Sequence, residues 1–112
     1  MKYKSHRTVC NQMHKHASKK EARRCDELTI LEKQGKIKEL KQQPKFPLQA
    51  KFVFQGKTIR PISYMADFSY IDSEKRYVVE DTKGFRTPIY LLKVKLLKFI
   101  MKDCEGFLFV ES

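Results

Sequence analysis

Tyr77-Val78-Val79-Glu80-Asp81-Thr82-Lys83-Gly84 is an apolar, β-branched run that ends in charged residues and stops at a glycine. Such a run reads as a buried strand. Side chains alternate faces along a strand, so Val79, Asp81 and Lys83 project to one side, and Val78, Glu80 and Thr82 to the other. The alternation singles out Asp81 as the carboxylate beside Lys83. It leaves Glu80 on the opposite face, as a supporting or surface group. A second extended pattern precedes this one, with Ile62, Tyr64, Ala66, Phe68 and Tyr70 on one face and Ser63, Met65, Asp67 and Ser69 on the other. If the two strands pair, Asp67 and Asp81 share a face of the sheet.

Upstream, the pattern is helical. Ser18 followed three residues later by Glu21 is a capping-box spacing, and the helix it opens runs through Leu31 and stops near Gly35. At about 100° per residue, Glu21 falls on the stripe of Cys25 and Leu28, with Ala22 and Leu31 on its flanks. Glu21 therefore points toward the core, although a glutamate in a first turn also serves simply to offset the helix dipole. Glu32 lies on the same stripe with no evident role.

Between this helix and Tyr77 the periodicity is two. Ile37 and Leu40 begin a short strand that ends at Gln43-Pro44, because proline cannot donate to a ladder. Gln43 is a candidate hydrogen-bonding group at that strand end. Phe46, Leu48, Ala50, Phe52 and Phe54 then alternate with Lys45, Pro47, Gln49, Lys51 and Val53, predicting a strand with one apolar face. Gln55-Gly56-Lys57 supplies a tight hairpin into Thr58-Ile59-Arg60, and Pro61 marks an edge or a bend. Asp72-Ser73-Glu74-Lys75 is a polar turn. After Gly84, Thr87 and Pro88 read as the N-cap and first residue of a helix to about Lys102. That helix carries Tyr90, Val94, Leu97 and Met101 on one flank, and Leu92, Leu96 and Phe99 on another. Lys95, Lys98 and Lys102 form a ridge between them, which is either a solvated face or a phosphate-binding one. Phe107 to Val110 closes the chain as a strand. The predicted class is α/β (α+β), in the order α-β-β-β-β-α-β.

At 112 residues with 41% hydrophobic content, the chain is expected to form one domain over residues 18–112, preceded by a basic arm or short hairpin at 1–17. Lys plus Arg number 24 against 13 Asp plus Glu, a net charge of +11. The first inference is a polyanionic partner, since each neutralised phosphate releases counterions. Non-catalytic RNA-binding proteins are equally basic, so charge alone names no chemistry. Lys19, Lys20 and Arg86 join the helix ridge as candidate phosphate contacts. Cys10, Cys25 and Cys104 are an odd, widely spaced set that fits a reducing cytosol better than a disulfide framework. Cys10, His14 and His16 match no zinc spacing. No stretch approaches the roughly 20 apolar residues that span a bilayer, so no membrane partner and a cytoplasmic location are expected.

The ordered series Ser-x-x-Glu at 18–21, Gln43-Pro44, Tyr64-Met65-Ala66-Asp67-Phe68 and Val78-Val79-Glu80-Asp81-Thr82-Lys83-Gly84 resembles the PD-(D/E)XK, or restriction-endonuclease-like, nuclease superfamily. It is closest to a small domain-of-unknown-function family of phages and prophages, regarded as endonucleases and similar to phage Holliday-junction resolvases. The resemblance covers about Ser18 to Pro88. It implies a restriction-endonuclease-like core, with a central mixed sheet of four to five strands flanked by helices. It also implies a Mg²⁺- or Mn²⁺-dependent endodeoxyribonuclease, with branched DNA as the preferred substrate and duplex or single-stranded DNA left open as the alternative. Asp67 stands where the superfamily has the aspartate of its Pro-Asp pair, Asp81 where it has the acid of its (D/E)-x-K element, Lys83 where it has the lysine, and Glu21 where it has the first-helix glutamate. Two departures are Ala66 in place of the proline and aspartate in place of the commoner glutamate at position 81.

The chemistry suits those residue types. A phosphodiester is anionic and its hydrolysis adds negative charge, so carboxylates help by holding a divalent cation. Asp67 and Asp81 are the expected ligands, with the Thr82 main-chain carbonyl and Glu21 as additional candidates. Lys83 would position water or offset phosphate charge. Resolution of a junction needs two matched cuts and hence a homodimer. The rival expectation is a nucleic-acid-binding module with the same fold and no catalysis.

Overall fold

A computed structural model describes residues 8–9, 15–16, 19–82 and 86–112. In chain order the elements are β1 (Thr8–Val9), β2 (Lys15–His16), α1 (Lys19–Lys33), β3 (Lys38–Gln42), β4 (Lys45–Gln49), β5 (Phe52–Phe54), β6 (Lys57–Ile59), β7 (Ile62–Met65), β8 (Phe68–Ile71), β9 (Tyr77–Asp81), α2 (Pro88–Ile100) and β10 (Phe107–Glu111). The class is α+β with a mixed sheet. Ser18, Lys83 and Gly84, and with them the proposed cap and the site lysine, lie outside the described residues, as do Cys10 and His14. Among the described residues no helix is long and apolar enough to cross a membrane.

The β-branched run at 77–81 forms the centre of a four-stranded sheet in the order β10-β9-β8-β3. β9 pairs antiparallel with β8 and parallel with β10, which α2 makes possible by carrying the chain back across the sheet. Alternation along β9 feeds two cores. Val78 faces α1, with Ala22, Cys25, Leu28, Ile37, Phe68 and Tyr70. Val79 faces α2, with Tyr64, Ala66, Tyr90, Val94 and Leu97. A strand covered by a helix layer on each face explains why 77–79 is apolar without interruption.

Both helices are bounded as their sequences require. Gly35, at φ 78°, ends α1: its N–H reaches the Glu32 carbonyl (3.0 Å) and the Lys36 N–H reaches the Leu31 carbonyl (2.9 Å), the paired bonds of a Schellman motif. Thr87 caps α2 by accepting the Tyr90 N–H at 3.0 Å, with Pro88 as its first residue. α2 ends at Ile100 with Met101 as its C-cap, slightly short of the expected Lys102. Glu32 acquires a role, because its Oε2 accepts the Leu40 N–H at the irregularity in β3.

Three expectations are corrected. Where four strands were predicted between the helices, the described residues form seven shorter ones. The pattern from Ile62 to Tyr70 divides into β7 and β8, with Tyr64 and Ala66 in the α2 core and Phe68 and Tyr70 in the α1 core. The cause is a bend shared with Gln43-Pro44. Gln43 N–H donates to the Asp67 carbonyl (2.8 Å) and Ala66 N–H to the Pro44 carbonyl (3.0 Å), while Pro44 has no N–H with which to continue the ladder. Beyond the bend β4 pairs with β7 in a separate ribbon. The apolar pattern from Phe46 to Phe54 likewise breaks after Gln49. Phe46 and Leu48 pack against the α2 core, whereas Phe52 and Phe54 are exposed in a hairpin with β6. That hairpin turns at Gln55 and Gly56, both at positive φ, as a two-residue loop requires.

The two regions should respond differently to truncation. Phe68→Ala, at a fully buried position, is expected to cost about 3–5 kcal/mol in urea unfolding. Phe54→Ala, outside both cores, is expected to stay within about 0.5 kcal/mol.

Candidate functional site

The bend determines where Asp67 goes. Phe68 pairs with Glu80 at the last paired position of β8 and β9, and Asp67 precedes it at the bend, alongside the end of β9. Asp67 Oδ2 accepts both the main-chain N–H and the hydroxyl of Thr82, each at 2.7 Å. These charge-assisted bonds tie the bend to the end of β9 and leave Oδ1 as the oxygen that Thr82 does not engage. Asp81 is fully buried, and its Oδ2 accepts the hydroxyl of Tyr64. Burial raises the pKa of that phenol well above its usual value, reinforced by the bond to Asp81 and by the nearby charge of Asp67. Tyr64 thus meets the Asp81 carboxylate as a neutral donor. Asp67 is the more exposed of the pair.

A second set of residues adjoins this one. The parallel register places Glu111 beside Asp81, and Ser112 N–H donates to the Asp81 carbonyl at 2.9 Å. Glu111 takes the Arg86 guanidinium (2.7 Å) and the Tyr90 hydroxyl (2.6 Å). Arg86 first, then Tyr90, holds its carboxyl down at about 2. Burial raises the Tyr90 phenol, followed by its bond to Glu111 and the charge of Asp81. Arg86, Tyr90, Leu91, Val94, Lys95, Lys98, Phe109 and Glu111 line a cleft of about 590 Å³. It has three cations to one carboxylate, at the carboxyl ends of the two parallel strands, where sheets of this kind commonly hold ligands. Lys98 Nζ also lies 5.3 Å from the centre of the Phe109 ring.

The other face of β9 is structural. Glu80, expected to be a supporting or surface group, is fully buried. It accepts Arg24 Nε (2.5 Å), Arg24 Nη2 (3.1 Å) and the Tyr70 hydroxyl (2.8 Å). The surface option is thereby corrected, because the cation comes from α1, 56 positions earlier. Burial first, then the bond to Glu80, raises the Tyr70 phenol to about 12.

Of the residues singled out by sequence, Asp67, Asp81 and Thr82 come together. Arg86, Lys95 and Lys98 gather in the adjoining cleft. Glu21 is buried on α1, as its stripe implied. Gln43 contributes its main chain to the Asp67 bend. Lys102 pairs with Asp103 and lies over Phe99. Lys19 and Lys20 are exposed at the start of α1. Sequence reading missed Tyr64, Tyr90 and Glu111 as site residues. A detectable signal for Glu111 was the alternation Phe107, Phe109, Glu111, which ends an apolar face in a charge.

Among the described residues no group of three or more His, Cys, Asp or Glu side chains is placed to enclose a metal ion. Asp67 and Asp81 form a two-carboxylate set, with the Thr82 carbonyl as a third oxygen in the same segment. Such hard oxygen donors suit a small divalent cation such as Mg²⁺, which keeps several waters and takes only one or two carboxylates.

Over its full length, residues 1–112, the chain matches the family described as "Protein of unknown function (DUF1064)". No curated protein and no solved structure matches it.

Two outcomes are expected. Arg24→Ala leaves a buried carboxylate without its cation and should cost roughly 3–5 kcal/mol in urea unfolding. Because the Glu111 carboxyl is held low in the folded state, its contribution is complete above the unfolded value of about 4.3 and is lost as pH falls toward 2. The stability gap between wild type and Glu111→Gln should therefore be level near neutral pH and close across that acidic window, as read by urea unfolding at each pH.

Proposed function

We propose that this chain, which belongs along its whole length to the DUF1064 family, is a metal-dependent DNA endonuclease of the PD-(D/E)XK kind, preferring branched DNA of the Holliday-junction type. The observation that supports the reading is the pair of bonds from Thr82 to Asp67, which hold that carboxylate at the residue following Asp81, near a cleft carrying Arg86, Lys95 and Lys98. A net charge of +11 supports a nucleic-acid partner.

The chain's own groups divide the work. Asp67 and Asp81 hold the cation, Mg²⁺ or Mn²⁺, with the Thr82 carbonyl as a further donor. That cation neutralises phosphate charge and acidifies water when bound. Thr82 fixes the Asp67 carboxylate, and the Tyr64 hydroxyl fixes that of Asp81. Arg86, Lys95 and Lys98 contact phosphates flanking the scissile one, with Arg86 exchanging Glu111 for phosphate. Lys83, two residues beyond Asp81, offsets charge on the phosphate. Two matched cuts across a junction call for two copies of the chain.

One observation favours a non-catalytic nucleic-acid-binding module instead: Asp81 is fully buried beneath Tyr64. The two readings separate when protein is incubated with a four-way junction, its matching linear duplex and supercoiled plasmid, in Mg²⁺, Mn²⁺ or EDTA. Paired symmetric cuts at the junction are expected in either metal, with none in EDTA. Asp81→Asn is expected to abolish cutting while retaining DNA binding. Metal-dependent cutting of all three substrates keeps the nuclease and discards branch preference, and binding without cutting in any metal selects the module.

A further inference from the structure

The hairpin of β5 and β6 belongs to neither core. Among the described residues the two strands pair only with each other, and all their residues are exposed, including Phe52 at 44%, Val53 at 68% and Phe54 at 59%. Burying such side chains is worth about 1.5–3 kcal/mol each, a gain that the isolated chain forgoes here. An apolar surface of this kind with a polar rim marks an interaction site.

Charge indicates the partner. From Leu40 to Ala66 the sequence contains no aspartate or glutamate, but it contains Lys41, Lys45, Lys51, Lys57 and Arg60. A polyanion is attracted to such an arm, whereas the same carboxylate-free arm of a second copy is repelled by it. Register specifies the surface further. Phe52 lies opposite Ile59 and Phe54 opposite Lys57, so one face of the ribbon carries two phenyl rings, an aliphatic side chain and a cation at the tip. Val53 and Thr58 occupy the other face.

Phosphates satisfy the cations but give nothing to the rings. In a duplex the base faces are already stacked, so rings gain only where bases are unpaired. Residues two apart on a strand are separated by about 6.8 Å, twice the stacking repeat of about 3.4 Å, a spacing that admits one base between two rings.

We infer that the β5–β6 ribbon is a stacking platform for unpaired nucleotides, with Phe52 and Phe54 on base faces and Lys51, Lys57 and Arg60 on the adjoining phosphates. This rests on the nucleic-acid reading above, but not on catalysis. It provides a physical basis for preferring a branch point or single strand over continuous duplex.

The test measures binding by the full chain in EDTA, so that cleavage plays no part. The probes are a single-stranded oligonucleotide and its duplex, with 2-aminopurine reporting stacking, and the variants are Phe52→Leu/Phe54→Leu and Phe52→Tyr/Phe54→Tyr. The leucine pair keeps the apolar character and should lose about tenfold or more in single-strand affinity with little change for duplex, together with the quenching of 2-aminopurine. The tyrosine pair should retain both. Equal behaviour of all three proteins on single strands, with duplex binding intact, would overturn the stacking role and leave the nucleic-acid reading standing. Absence of binding to either nucleic acid by wild type would overturn both. A dimer in sedimentation that the leucine pair converts to monomer, without change in single-strand affinity, would assign the ribbon to a second copy instead.

Discussion

The two bonds from Thr82 to Asp67 Oδ2 are the contact on which the arrangement of the site depends. They join the end of the central strand to the point where the neighbouring strand leaves the sheet. They add to the main-chain bonds from Gln43 and Ala66 that hold the bend at Ala66-Asp67. Through the Thr82 bonds, one carboxylate is oriented by a backbone N–H and a hydroxyl at the residue directly after a buried strand. The second carboxylate is oriented just as locally, by a phenol that burial keeps neutral.

Around this contact the sheet separates two kinds of charge. Glu80 and Asp81 are adjacent in sequence and equally buried, yet one faces α1 and the other α2. Glu80 is met by a guanidinium and a phenol, so its charge is compensated within the α1 layer. Asp81 lies on the α2 side, bonded to the Tyr64 phenol and beside Glu111, which with Tyr90 lines the basic cleft. The same strand thereby anchors one helix and presents an acidic site beneath the other. In this account the cleft brings phosphates to the carboxylates, and the exposed ribbon supplies contacts to bases that the cleft lacks.

Much of this was legible from local chemistry. Gly35 after a helical stripe, Thr87 before Pro88, and Asp72 at the head of a polar turn all act through bonds to near neighbours, so the sequence displays them. The pairing of the two acidic segments was legible because two apolar, alternating runs joined by a short polar turn form an antiparallel pair. The division of Ile62 to Tyr70 into two strands was not, because alternation continues through a bend that Gln43-Pro44 imposes from another strand. The burial of Glu80 depends on Arg24, and the place of Glu111 depends on a parallel register created by α2. Both are tertiary facts. An apolar pattern also says nothing about whether a face finds a partner, which is why Phe46 and Phe54, similar in sequence, differ in exposure.

The central claim is that Asp67 and Asp81 together hold a divalent cation, and titration of Mn²⁺ into the ¹⁵N-labelled protein tests it most directly. The account predicts paramagnetic broadening that begins at the amides of Asp67, Asp81 and Thr82, is displaced by Mg²⁺, and is lost in Asp67→Asn while the remaining spectrum stays folded. Broadening centred elsewhere, such as the exposed acids of the Asp72 turn, or unchanged broadening in Asp67→Asn, would contradict it.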